Sequence, residues 1–127
     1  MDATSPTHAV SIRAALDTVT DHWSPKVVGR VNDHYVKVAK LLGEFVWHAH
    51  DNEDELFQVV YGTLVIQFED RDDVTLNAGD FTVVPKGVRH NPVAAEEVGI
   101  VLIETVTTTH TGDVMTDRTK SIDDQLQ

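Results

Sequence analysis

No cysteine occurs anywhere in the 127 residues. Disulfides, thiolate metal sites and a cysteine nucleophile are therefore excluded, and any metal must be held by imidazole, carboxylate or water. Basic residues are scarce as well: 10 Lys and Arg against 21 Asp and Glu leave a formal charge of −11. A surface this acidic repels phosphate backbones and anionic lipid, so neither nucleic acid nor membrane is an expected partner. No apolar run approaches the roughly 20 residues of a membrane-spanning helix. The opening stretch MDATSPTHAVSIRAALDTVT has no apolar secretory core, and the expected location is cytoplasmic.

What is present reads as an ordinary globular chain, with 41% hydrophobic and 24% charged residues. Its length suits one domain with one core. Ile12, Leu16, Val19 and Trp23 recur at helical spacing behind Ser11, a candidate N-cap, and Pro25 ends that pattern. From Lys26 onward the texture is β. The segments KVVGRV, HYVKVAKLL, EFVWHAH, ELFQVVY, TLVIQFE, DVTLNA, DFTVVP and VGIVLIETVTT are separated by glycine or charged turns, AAEE at 94–97 among them. Short strands at close spacing, with no crossover helix between 27 and 108, predict a mostly antiparallel sandwich or small barrel. The expected organisation is an N-terminal arm and short helix over 1–26, a β-barrel over 27–108 and a polar tail over 109–127.

The stretch FVWHAHDNEDELFQVVYG carries the candidate chemistry. Alternate residues of a strand share a face, so His48 and His50 point the same way, opposite Trp47 and Ala49. Glu55 follows a short acidic turn and can meet both histidines across a hairpin, with Asp51, Glu53 and Asp54 as rivals. Further on, Pro85 and Gly87 make a tight turn, and His90 comes just past it.

Two spacings now stand out: H-x-H-x4-E-x6-G, as His48, His50, Glu55 and Gly62, and G-x5-P-x-G-x2-H, as Gly79, Pro85, Gly87 and His90. In order, they resemble the two signature motifs of the cupin superfamily, over roughly residues 35–106. Two departures are visible: Gly43 stands one position nearer the first histidine than the pattern has it, and Ala94 occupies the place of an asparagine. The resemblance implies an all-β, antiparallel cupin jelly-roll barrel with a short N-terminal helix. It also implies that His48, His50, Glu55 and His90 hold one divalent metal, with the spacing to Gly62 selecting Glu55. Three imidazoles and a carboxylate suit Fe, Mn, Ni, Zn or Cu, and four protein ligands leave two octahedral positions open.

The expected function is a metal-dependent enzyme acting on a small organic molecule, by oxygenase chemistry or by isomerase or lyase chemistry. The alternative is a cupin that binds a small ligand, sugar-like or another metabolite, without turnover. A homodimer is expected, because a single barrel leaves sheet edges exposed. His8, His22, His34 and His110 lack partners at ligand spacing and read as surface or loop histidines, and Arg89 alternates outward. Lys37 and Lys40 have opposite parity on one strand, so one of them points inward or lies at the rim. An inward lysine, or Tyr61, would favour the enzyme. Phe57, Val59, Ile66, Phe68, Phe81 and Val83 are the expected barrel lining.

Overall fold

The computed structural model describes residues 7–112 and 119–126. In chain order it has α1 (Ile12–Asp17), β1 (Lys26–Val31), β2 (His34–Glu44), β3 (Glu55–Tyr61), β4 (Leu64–Phe68), β5 (Val74–Leu76), β6 (Phe81–Val84), β7 (His90–Thr105) and α2 (Ile122–Gln125). Every strand ladder is antiparallel. The strands run β1-β2-β7-β3-β6, and β4 joins the far half of β7 with β5 beyond it. Among the described residues no helix is long and apolar enough to cross a membrane.

β7 makes the barrel. Its second half lies between β2 and β3, and its first half pairs with β4, from His90 opposite Phe68 to Val93 opposite Val65. One 16-residue strand therefore serves both walls. The AAEE stretch expected as a turn is the middle of this strand, and β2 follows it by shifting register between Leu41 and Gly43. The exposed Ala95, Glu96 and Glu97 mark where β7 passes over the outside. Gly62 turns β3 into β4 at φ 86°, and a Cβ there would lie 2.8 Å from the Glu97 carbonyl oxygen. That close approach explains why this position of the first motif is glycine.

Strand alternation divides the apolar residues into two clusters. Ala39, Leu41, Phe57, Val59, Leu64, Ile66, Ile100 and Leu102 fill the barrel interior. Val38 and Val101, one step out of phase, point outward and are covered by Leu16 and Val19 from the N-terminal segment. The helix is shorter than its periodicity suggests. Ser11 caps it as expected, but it stops at Asp17. Trp23 has a positive φ of 58°, donates from its indole nitrogen to the Leu42 carbonyl at 2.8 Å, and joins the interior cluster. Core packing of the indole thus overrides helical continuation.

Two expectations about strands are corrected. Residues 44–50 do not form a full strand. They run beside the start of β7 through Phe45 N–H to Pro92 O at 3.1 Å and a paired exchange between His48 and His90 at 3.0 and 2.9 Å. Phe81 and Val83 do not line the barrel, being 61% and 45% exposed. Opposite partners in a ladder point to the same side. Glu55 faces inward and pairs with Val84, so Val84 turns in, while Val83 and Phe81 follow Leu56 and Gln58 outward.

Ile66, fully buried in the interior cluster, tests this packing. Ile66→Ala should lower stability by about 2–5 kcal/mol, read as a reduced urea midpoint with an unchanged slope. A loss under about 1 kcal/mol would mean that the site is not close-packed.

Candidate metal centre

The four motif residues meet at one end of the barrel. Glu55 opens β3 and His90 opens β7, while His48 and His50 come from the segment held against β7. The turn after Pro85 is clasped to the same place. Gly87 N–H donates to the His50 carbonyl at 2.8 Å, and Lys86 N–H donates to Asp54 Oδ1 at 2.9 Å. All four side chains are buried, and one donor atom of each lies within 4.8 Å of every other. Glu55 Oε1 is 3.4 Å from His50 Nε2 and 3.6 Å from His90 Nε2. An ion about 2.0–2.2 Å from each donor spaces its ligands by at most about 4.4 Å; both Glu55 distances fall inside that span, and the 4.8 Å bound on the whole set lies just beyond it.

The imidazoles are oriented for the task. His48 Nδ1 lies 2.8 Å from the Val46 carbonyl, and His90 Nδ1 lies 3.0 Å from the Val88 carbonyl. An Nδ1–H donated to each carbonyl leaves the Nε2 lone pair facing the cluster, the arrangement in which metal-ligating histidines are held. Among the described residues no hydrogen-bond donor or acceptor satisfies the buried Glu55 Oε1 and His90 Nε2. Buried polar atoms are rarely left so, and these are atoms a metal would satisfy. The donor set and the geometry fit a divalent ion.

The electrostatics point the same way. Burial, and then the neighbouring His90, lower the His48 pKa to about 4, so this ring is a neutral donor at ordinary pH. Burial opposes ionisation of Glu55, but the adjacent His50 and His90 imidazoles and the Glu104 carboxyl outweigh it and hold the carboxyl well below its usual range. Glu104 moves oppositely: burial, and then the Glu55 charge, raise it well above that range, with Lys37 opposing. Glu55 and Glu104 are direct partners across β3 and β7.

Lys37 is the inward lysine of the two on β2. It shares the interior face with Ala39 and Leu41, is 1% exposed, places Nζ 2.6 Å from Glu104 Oε1, and donates to Gln125 Oε1. Lys40, on the other face, is half-buried. Glu104 escaped the sequence reading because VGIVLIET looks like a plain core strand. The signal available was a carboxylate set in an apolar run.

His110 is a loop histidine, in the turn after β7, but it is only partly exposed and tilts against Phe45 with ring centroids 5.3 Å apart. Together with Trp23, Phe45, Phe57, His48 and Glu55 it lines a cavity of about 30 Å3 beside the cluster. A polar groove of about 230 Å3 lies on another side, walled by His50, Asn52, Thr107 and Thr109. The remaining candidates lie elsewhere. Arg89 pairs with Glu69 at 2.9 Å, Tyr61 donates to Glu97 at 2.7 Å, His22 contacts the same glutamate at 2.8 Å, His34 contacts Asp33 at 3.1 Å, and His8 is exposed.

Two measurements test this electrostatic account. In the metal-free chain His48 accepts a proton near pH 4 when folded and near 6.5 when unfolded. The unfolded state therefore binds more protons between those values, and stability is full above pH 6.5 and lost as pH falls toward 4. Urea midpoints should drop across that window more steeply for the wild type than for His48→Gln. Separately, Lys37→Met removes the partner of buried Glu104 and should cost about 3–5 kcal/mol, whereas Lys37→Met/Glu104→Leu should recover most of it. A single variant as stable as the wild type would show that Lys37 does not balance the pair.

The comparisons with known proteins agree with this architecture. The sequence model of the cupin domain matches residues 35–106. The Bacillus subtilis (strain 168) protein YdbB, itself uncharacterized, is 44% identical over 63 residues, which are 50% of this chain and 56% of that protein; the match thus spans little more than half of that relative's length. A cupin-2 domain containing protein from Shewanella frigidimarina NCIMB 400 superposes with a TM-score of 0.73 at 45% identity, covering 76% of this chain and 93% of the other. Protein NMB1881 from Neisseria meningitidis gives 0.71 at 30% identity, covering 77% and 99%. With both motifs in place on an antiparallel barrel, and the family's domain matched over more than half its length, the chain belongs to the cupin family.

Proposed function

We propose that the chain is a metal-dependent cupin enzyme that acts on a small organic molecule at a centre formed by His48, His50, Glu55 and His90. The observation that carries the proposal is the pair of buried atoms left unsatisfied among the described residues, Glu55 Oε1 and His90 Nε2, in a cluster of four donors within 4.8 Å of one another. A six-coordinate ion held by these four donors would have two positions left for substrate, water or a second reactant. A divalent Fe, Mn, Ni, Zn or Cu ion bound there would polarise a substrate oxygen as a Lewis acid or, where the ion is redox-active, support oxygenase chemistry.

The chain's own residues have definable parts in this reading. His48 and His90 are held by the backbone carbonyls of Val46 and Val88 and present Nε2 inward. Glu55 contributes the anionic donor that offsets part of the ion's charge. The Trp23–Phe45 stack, 4.6 Å between centroids at 11°, forms an apolar wall of the cavity. Hydroquinone 1,2-dioxygenase from Sphingomonas sp. TTNP3 has the same fold at 23% identity with a TM-score of 0.71, a likeness of fold alone. The choice between oxygenase and isomerase or lyase chemistry therefore rests on the ion.

A second reading, ligand binding without turnover, draws on one observation. The inward lysine is already engaged by Glu104 and Gln125, so Lys37 does not stand ready as a separate general base.

The deciding experiment is metal analysis of protein purified without a histidine tag, followed by oxygen-uptake screening with the native metal restored. Wild type should carry about one divalent ion per chain at saturation. His50→Ala removes one of four donors and should abolish stoichiometric binding and any activity, while the β circular-dichroism spectrum stays unchanged. Full metal occupancy in His50→Ala would overturn the site.

A further inference from the structure

Two polar side chains at the cavity lie outside the four-ligand centre: Glu104, which Lys37 engages, and His110. His110 reaches the cavity from the turn that follows β7, and that turn is pressed onto the ligand segment. Gly112 adopts φ 59°, and a Cβ there would stand 2.2 Å from the Ala49 carbonyl oxygen and 3.0 Å from His48 Cδ2. Thr111 is fully buried behind it. The ring is then fixed from two sides, against Phe45 and by the backbone N–H of Lys120, which donates to His110 Nδ1 at 2.8 Å.

That last bond settles the ring's chemistry. A backbone N–H makes Nδ1 an acceptor, so the neutral ring carries its proton on Nε2. Burial, and then the Lys37 charge, lower the His110 pKa to about 4, so the ring remains neutral through ordinary pH. His48 uses its Nδ1 as a donor to a carbonyl and turns a bare nitrogen to the cluster. His110 is wired the other way round, with a proton to donate where His48 has a lone pair.

We propose that His110 is a ligand-positioning residue, whose Nε2–H donates a hydrogen bond to an oxygen of a small molecule held at the open metal positions. The cavity gives the chemical class. Its wall is apolar at Trp23, Phe45 and Phe57 and polar only toward His48, Glu55, Glu104 and His110. About 30 Å3 has room for a group of a few atoms. The fitting group is a compact carboxylate, which would place one oxygen toward the metal and the other toward His110. This rests on the metal-centre reading of the preceding subsection.

The test has two arms, neither of which depends on turnover. Nitrogen-15 NMR of the metal-free wild type reads the tautomer directly. Nε2 should be protonated and Nδ1 bare, and a His110 ring with its proton on Nδ1 overturns the proposal whatever the variants do. In the second arm the chain is loaded with Co(II) and titrated with formate, followed by the visible d–d absorption. His110→Phe keeps a ring against Phe45 but has no donor. It should take up one Co(II) per chain as the wild type does, and bind formate about tenfold more weakly, the usual scale for one hydrogen bond to a charged group. His110→Gln, which retains an N–H donor, should recover part of that loss. If wild type and His110→Phe bind formate equally, or if Co(II)-loaded wild type does not bind it at all, the role of His110 is wrong and the metal centre stands. If wild type takes up no Co(II), the metal-centre reading fails, and this proposal falls with it.

Discussion

Two carboxylates are buried face to face. Glu55 and Glu104 are register partners on neighbouring strands, both point into the barrel, and one lysine stands behind them. Leaving two unpaired anions in an apolar interior would cost more than a chain of this size has to spare. The fold resolves the problem by ordering the charges: Lys37 against Glu104, Glu104 against Glu55, and Glu55 against the histidines. Burial and the Glu55 charge push Glu104 toward its protonated form, while the imidazoles hold Glu55 ionised. The result is an ionised carboxylate at the cluster, where a cation is best received.

The order depends on strand register. A slip of β3 by one residue against β7 would turn Glu55 outward and away from Glu104. The register is secured by the apolar residues on the same face, Phe57 and Val59 from β3 with Ile100 and Leu102 from β7. Val38 and Val101, pointing the other way, are fixed under Leu16 and Val19. The core therefore does more than stabilise the barrel, since its alternation aims the polar residues.

Closure of the site comes from the chain beyond β7. The turn through His110 to Gly112 lies against the ligand segment, and Gln125 of α2 accepts from Lys37. Gln125 Nε2 in turn donates to the Lys120 carbonyl at 3.0 Å, and Lys120 N–H fixes His110. A hydrogen-bonded path thus runs from the cavity histidine through the C-terminal residues and back to the charge pair behind Glu55. Composition alone marks those C-terminal residues only as polar and aperiodic.

Much of the site is legible in the sequence alone. The relative placement of His48 and His50, the carboxylate that follows them, and the turn that delivers His90 are matters of local spacing, and strand alternation and turn chemistry act over a few residues. The strand content and the antiparallel arrangement follow from the same short-range signals. What required the tertiary structure was the absolute face of each strand. Parity says that Lys37 and Lys40 point apart, but only the pairing of β2 with β7 says which one is buried. The same reason turns Phe81 and Val83 outward and carries β7 straight through the charged AAEE stretch. Glu104 and His110 lie far from the motifs in sequence and reach the site only because the barrel closes on itself. Local spacing determines how side chains are placed relative to one another, and partner strands and packed core determine where they end up in the molecule.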